Sequence, residues 1–219
     1  RVRQNIGLFF CGFFFFADPT PGYDNGAGYR RVSAAPAALS PDGCYDGVDA
    51  VTVELSAAGD IYYTTDGSVP TVSSTPYREP IPVDKTTILR AIAVEDGGMP
   101  SRVLTLSYFI NEGHSLPVLS LVMDDLSGFR SVYSAGTKHL EMPGSLSLYE
   151  EDGSFTIGCG VTMSGMTSLV LPKKNMSVRF RGAYGAEWLN YDVFDGGVSQ
   201  FTKLTIRSGQ DYYSALIRN

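Results

Sequence analysis

A chain of 219 residues has room for one large domain or two small ones, and its 43% hydrophobic and 12% aromatic content is enough to fill a core, which excludes wholesale disorder. The net charge of −6, from 17 Lys and Arg against 23 Asp and Glu, excludes a surface built to neutralise a phosphate backbone, so no nucleic-acid partner is expected. With 24 Gly and 12 Pro among many Val, Thr and Ser, the composition favours short strands and frequent turns over helices.

The chain opens on an aromatic run over residues 8–16, LFFCGFFFF, preceded by Arg1 and Arg3. A membrane-crossing helix needs about 20 apolar residues, so this run predicts a buried strand and no transmembrane segment. It imitates a signal peptide only faintly, because Gly12 interrupts it and no small-x-small cleavage pattern follows. The absence of an initiator Met suggests a fragment or a processed chain. Residues 17–26, ADPTPGYDNG, end the strand and read as a linker. An aromatic strand running into T-P-G-x-x-N resembles the closing strand of an immunoglobulin-like lamin-tail domain, so residues 1–29 are expected to be the remnant of one. The cysteines Cys11, Cys44 and Cys159 are scattered, with no C-x-x-C and no His at ligand spacing. They support neither a disulfide framework nor a zinc site, and free, mostly buried thiols are expected, with one disulfide and a leftover thiol as the alternative.

Residues 30–111 read as about seven short strands. Residues 51–56, VTVELS, alternate with period two, as a half-buried strand does, and a hairpin through Ser56, Ala57, Ala58 and Gly59 would pair them with residues 60–65. Asp66, Gly67 and Ser68 then predict a turn, the Asp66 carboxylate accepting backbone N–H bonds and Gly67 supplying a positive φ. Two longer strands are expected over residues 87–94 and 103–109. The stretch IYYTTDGSVPTVSSTPYREPIPVDKTTILRAIAVEDGGMPS, residues 61–101, resembles the small β-sandwich module named after the C-terminal domain of chitobiase and β-hexosaminidase. The resemblance implies an immunoglobulin-like sandwich serving as an accessory domain.

Residues 112–219 begin with an apolar strand over 116–122. Asp124, Asp125 and Leu126 read as a single helical turn. Two strands, 145–150 and 155–163, flank Glu151-Asp152-Gly153-Ser154, a hairpin signal. Two more alternating strands cover 176–181 and 201–207, and a helix capped by Asp211 is expected over 212–219. The pieces LPVLSLV, SLSLYEEDGSF, LPKKNMSVRFRGAYG and FTKLTIRSGQDYYSALIRN resemble the opening of the spore-coat CotH family, an atypical kinase-like fold. The resemblance implies a partial α+β domain over 112–219, about the first third of such a domain. The fold class expected for the whole is therefore mainly β: an immunoglobulin-like sandwich followed by a partial, kinase-like α+β domain.

Phosphoryl transfer needs cations on the phosphates and carboxylates that hold Mg²⁺. Lys173 and Lys174 are the one adjacent lysine pair, and by the resemblance they fall in the family's lysine motif. Arg179 and Arg181, two apart on a strand, would share a face beside them. These four are the nucleotide-binding candidates; the alternative is a solvated strand edge whose lysines discourage aggregation. Where the family carries Arg shortly before the proline, this chain has Leu169, which implies a lost phosphate contact. The family's metal-binding and catalytic carboxylates would lie past Asn219, so no catalytic and no metal residue is assigned here, and no cofactor is expected in this fragment.

Other chemistries find less support. G-x-x-x-x-G-K-[ST] is absent, and Gly158-Cys159-Gly160 lacks the third glycine of a dinucleotide loop. His114 and His139 form neither H-E-x-x-H nor any other catalytic pattern and are expected in loops; G-x-S-x-G does not occur either. Hydrolysis of glycosides needs two carboxylates about 5 to 10 Å apart in a cleft, which Asp60, Asp66 and Glu95 on a small sandwich do not suggest. Tyr62 and Tyr63, which point to opposite faces, offer an alternative sugar-stacking site, with Tyr77 and Trp188 as further aromatics. Asn175-Met176-Ser177 is a glycosylation sequon by pattern.

The sequence is thus expected to be part of a secreted or surface-attached bacterial protein, extracellular or on the cell surface. Its complete parent would resemble a protein kinase using ATP and Mg²⁺ on a surface or coat protein, the chain itself being inactive. The alternative is a non-catalytic module that binds cell-wall polysaccharide, or a purely structural spacer.

Overall fold

The computed structural model describes residues 15–16 and 28–208. Of the aromatic run only Phe15 and Phe16 are described, Phe15 forming an antiparallel bridge with Tyr29 through N–H···O contacts of 2.7 and 2.9 Å. The remainder of that run, the linker, Cys11, Asp211 and the helix expected over 212–219 lie outside the described residues.

The protein is mainly β. Residues 30–111 form nine strands rather than seven: β1 (Ala37–Ala38), β2 (Gly43–Tyr45), β3 (Val51–Val53), β4 (Leu55–Ser56), β5 (Asp60–Thr64), β6 (Thr75–Pro76), β7 (Ile81–Val83), β8 (Thr87–Val94) and β9 (Leu104–Ile110). One wall is a five-stranded sheet in the order β2-β9-β8-β5-β6, antiparallel except for the parallel β2–β9 pair. The ladders β1–β4 and β3–β7 make the facing wall. Between them lie Val53, Leu55, Ile61, Ile81, Val83, Leu89, Leu106, Tyr108 and Ile110, all buried. Burying an aliphatic side chain this fully contributes about 1.5–3 kcal/mol, so this cluster is what holds the sandwich shut.

The expected hairpin between residues 51–56 and 60–65 does not form. β3 pairs with β7 and β4 with β1, whereas β5 lies between β6 and β8 in the other wall. The reason lies in the core: a sandwich needs Val53 and Leu55 on one wall and Ile61 on the other, and a hairpin would set them side by side. The chain crosses between walls at Gly59, where a Cβ would stand 2.3 Å from the Val94 carbonyl oxygen, so only glycine passes there. The Asp66 turn is as expected: Ser68 donates to Asp66 Oδ1 from its N–H at 3.0 Å and from its hydroxyl at 2.6 Å, and Gly67 has φ 78°.

The rest comprises β10 (Val118–Met123), α1 (Leu126–Ala135), β11 (Met142–Tyr149), β12 (Ser154–Ser164), β13 (Asn175–Arg179), β14 (Leu189–Asn190), β15 (Gln200–Phe201) and β16 (Lys203–Ile206). Strands β10-β11-β12-β13-β16 make an open antiparallel sheet, and β14–β15 a separate ladder. The Glu151–Ser154 signal does close the β11–β12 hairpin, the Glu150 N–H donating to the Gly153 carbonyl at 2.9 Å. In place of a single turn at 124–126 there is a ten-residue helix. Its sequence, LSGFRSVYSA, is poor in strong helix formers. The Asp125 carboxylate caps its start by accepting from the Gly128 N–H at 2.8 Å, and Gly136 ends it in the left-handed conformation. Packing supplies the rest: Phe129, Val132 and Tyr133 lie on the apolar side of the sheet with Met123, Leu146, Cys159, Val161 and Val178.

Because strand side chains alternate, the opposite side of this sheet carries Ser120, Ser145, Ser147, Thr156 and Ser177. This hydroxyl-bearing side faces the sandwich. Ser120 and Ser107 share a hydroxyl contact of 3.0 Å, and Ser145 donates to Thr105 at 3.3 Å. Phe109 meets Tyr149 edge to face at 5.9 Å.

Candidate functional site

The seam between sandwich and second sheet gathers the chain's most heavily committed polar side chains. Along β8, Leu89 and Ala91 point into the sandwich core, and Ile88, Arg90 and Ile92 point outward. On a free sandwich that outer side would meet water. Here Arg90 is only 1% exposed. Its Nη2 donates to Asp124 Oδ1 at 2.5 Å and its Nη1 to the Gly67 carbonyl at 3.4 Å, while its buried Nε has no hydrogen-bond partner among the described residues. Asp124 is held in place by its own N–H, which donates to the Pro143 carbonyl at 3.0 Å, and by the helix that starts just after it. A buried guanidinium stays charged and must be paired, so this contact fixes how the two units meet.

Asp42 forms a second tie. It accepts the Ser107 N–H at 3.1 Å and a short bond from the Tyr149 hydroxyl. Burial, and then the bond to that carboxylate, push the Tyr149 phenol up to about 12. Between the ties opens a cleft of about 620 Å³, lined by Arg90, Arg102, Thr105, Asp124, Ser145 and Thr156 among others. Arg102 reaches across it, its Nη1 and Nη2 donating to the carbonyls of Ala183 and Gly182 at 3.3 Å each. A neighbouring hollow of about 770 Å³ shares Asp42 and Ser154 and is lined by Cys44, His114 and Glu151. Burial and the nearby Asp46 carboxylate raise the Cys44 thiol, the opposite of what an activated nucleophile requires.

The four nucleotide-binding candidates are not gathered in one place. Lys174 is buried and turned toward α1: its Nζ donates to the Leu171 carbonyl at 2.8 Å and lies 5.7 Å from the Tyr133 ring centre. Its N–H donates to the Tyr133 hydroxyl at 3.0 Å, so the lysine pins the 171–174 loop to the helix. Lys173 is exposed in that loop. Arg179 and Arg181 do share a side, the one opposite the helix, and converge on Glu141: Arg181 Nε is 2.9 Å and Arg179 Nε 3.8 Å from its carboxylate oxygens. Tyr184 donates to the same carboxylate at 2.9 Å. This places Tyr184 and its 3₁₀ turn (Gly182–Tyr184) over β12, where a Cβ at Gly158 would lie 2.0 Å from the Tyr184 carbonyl oxygen and one at Gly160 would lie 2.6 Å from Glu141. Gly158 and Gly160 therefore form a seat for this turn. Leu169 lies in another 3₁₀ turn, Thr167–Val170, and packs against the helix-side core.

Of the two sugar-stacking candidates, Tyr63 faces the sandwich core and meets Tyr77 edge to face at 6.5 Å, and Tyr62 sits half-buried on the outer side opposite Ile92. His114 and His139 are both in loops. Cys159 is buried and Cys44 exposed, both as free thiols. The sequon Asn175 is occupied, its Oδ1 accepting from the Ser208 N–H at 2.8 Å and hydroxyl at 2.9 Å. Among the described residues no three His, Cys, Asp or Glu side chains are arranged to hold a metal ion, so these residues alone do not make the Mg²⁺ site that the kinase resemblance implies. Among the same residues no helix is long and apolar enough to cross a membrane.

Residues 40–105 match the chitobiase/beta-hexosaminidase C-terminal domain. The match falls within the sandwich, and β8 with its Arg90 belongs to this chitobiase-type module, while Asp124 lies outside the matched residues. No curated protein matches the chain. Sequence reasoning passed over Arg90 and Asp124. The available signal was a lone charge in the apolar run ILRAIAV, residues 88–94, which marks a strand side that water does not reach.

Proposed function

We propose that the chitobiase-type sandwich is a non-catalytic accessory module that serves as a rigid base for the second sheet, in a secreted or surface-attached protein. The observation that carries this reading is Arg90, a cation at 1% exposure on the outer side of the sandwich whose carboxylate partner belongs to the second unit. A spacer joined by a free tether would leave that side to solvent. Backbone ¹⁵N relaxation of the whole chain tests the reading. A single rotational correlation time for both units is expected, and two separate times would end it.

A second reading keeps the expected kinase parent, extracellular, with ATP, Mg²⁺ and a surface or coat protein as substrate. It is supported by the order of the motifs over 116–219 and by an open five-stranded antiparallel sheet with one helix on its apolar side. In it Lys173, Arg179 and Arg181 are the residues that would meet a nucleotide, the two arginines by exchanging Glu141 for it, and Lys174 acts on loop position. Calorimetric titration of Mg-ATP into the longer protein this reading requires would show binding that weakens in Lys173→Ala. Absence of heat at millimolar nucleotide would remove it.

A further inference from the structure

We propose that the cleft between the sandwich and the second sheet binds a saccharide carrying a carboxylate, a uronic-acid residue in a chain. Its volume, about 620 Å³, falls within the roughly 300–1,000 Å³ of small-molecule sites. Arg90 lines the floor, its Nη2 held by Asp124 and its fully buried Nε without a hydrogen-bond partner among the described residues. At the mouth stands Arg102, exposed, its guanidinium steadied by the carbonyls of Gly182 and Ala183 and without an acidic partner among the described residues. Two fixed guanidinium groups with spare N–H bonds suit a carboxylate.

The walls specify the remainder of the ligand. Ser145 donates to Thr105, which leaves the Thr105 hydroxyl hydrogen available, and Thr156 donates to Ser147 at 2.8 Å, which leaves the Thr156 lone pairs available. With Ser154 at the rim, the cleft presents donors and acceptors side by side, the pattern that sugar hydroxyls match. Asp42 and Asp124 also line it, so the formal charges of the four ionic side chains cancel. That balance disfavours a phosphoryl group, whose charge near −2 would face both carboxylates, and accommodates a single carboxylate set among hydroxyls.

The experiment titrates the whole chain by calorimetry with a short oligogalacturonate, with the neutral oligogalactoside of equal length, and with inorganic phosphate. The uronate is expected to bind about tenfold or more tighter than the neutral chain, the difference one charge-assisted contact makes. Arg102→Gln keeps a donor for the Gly182 and Ala183 carbonyls and removes the charge; it is expected to weaken uronate binding about tenfold with an unchanged melting temperature. Ser145→Val, which blocks the hydroxyl wall, is expected to weaken both saccharides. Equal affinity for the two saccharides, binding of phosphate in preference to the uronate, no binding of either saccharide at millimolar concentration, or an Arg102→Gln variant that binds as the parent does would each overturn the proposal. A loss of uronate binding with the single correlation time intact leaves the accessory-module reading standing, so the two can fail separately.

Discussion

The sandwich and the second sheet solve the burial of a β-sheet in different ways. The sandwich closes on itself: its two walls enclose Val53, Leu89, Leu106 and Tyr108 between them, and a layered pair of this kind is self-sufficient. The second sheet covers its apolar side with α1 and leaves its hydroxyl side, Ser120, Ser145 and Ser147, against the sandwich. Those serines are 9% exposed or less, so the side is buried although largely polar, with Val122 and Tyr149 as its apolar members. One unit is therefore held by surface removed from water, and its junction with the other by directional polar contacts. A junction of the second kind fixes orientation strongly while adding little net stability, and it fails sharply when one partner is removed.

That asymmetry gives the largest expected effect. Asp124→Ala leaves the Arg90 guanidinium buried with only the distant Gly67 carbonyl, a loss of about 3–5 kcal/mol for a stranded buried charge. Arg90→Met fills the same space without a charge, and its Asp124 partner, with 36% of its side chain exposed, can be rehydrated. It is expected to cost less than about 1.5 kcal/mol, as apolar replacements of buried ions often do. Urea melts of both variants check this, and equal losses would show that the seam is held by packing and not by the ion pair.

The next effect tests the seat under the 3₁₀ turn. Gly158→Ala pushes a methyl group to within 2.0 Å of a backbone oxygen, which cannot swing aside as a side-chain tip can. A loss of about 1–3 kcal/mol is expected. Because the displaced turn carries the Arg102 acceptors Gly182 and Ala183, hydrogen exchange at Arg102 should also rise. A neutral Gly158→Ala would mean that the turn lifts off without cost.

How far the sequence foretold this arrangement depends on the distance between partners. Period-two alternation marks β3, β4, β13 and β16 because an apolar side shows within five residues, and Glu151-Asp152-Gly153-Ser154 marks its hairpin because the turn chemistry is local. Residues 51–56 read as a strand, but their neighbour does not follow from proximity in the chain, because the core requires residues 51–56 and 60–64 on opposite walls. α1 reads as one turn in the sequence because Ser127, Gly128, Ser131 and Ser134 are weak helix formers; its cap and the apolar side of the sheet compensate. Lys173 and Lys174 are neighbours in the chain but not in role, because Tyr133 in the helix, 41 residues from Lys174, captures that one. Arg90 and Asp124 stand 34 positions apart and meet only because the two units dock.

Alkaline pH weakens both units by a smaller margin, since burial also raises Tyr108 in the sandwich core. Burial first, and then Asp42, raise Tyr149 to about 12 from 10, and burial first, then Asp124, raise Cys159 to about 12 from 9. A group whose folded value is raised lends its stability below the unfolded value and loses it as pH climbs toward the folded one. Stability should thus hold up to about pH 9 and decline between pH 9 and 12, by an amount on the order of 1–2 kcal/mol after screening. Cys159→Ala should shift the onset toward pH 10, and Tyr149→Phe should flatten the upper part of the window. A decline that starts below pH 8 would point to some other group.

The smallest effect belongs to the sandwich. Asp66→Ala removes the acceptor for the Ser68 N–H and hydroxyl, bonds that also hold the exposed carboxylate below its ordinary range. The lost contacts are local and solvated, so a cost of about 0.5–1.5 kcal/mol is expected. The same turn, however, supplies the Gly67 carbonyl to Arg90, and Asp66 bridges to Ile88 on β8. If the seam depends on that carbonyl, Asp66→Ala combined with Asp124→Ala should cost more than the sum of the two, because the guanidinium would lose both acceptors. Simple additivity would instead mean that the 3.4 Å contact to Gly67 contributes nothing and that Asp124 alone carries the charge.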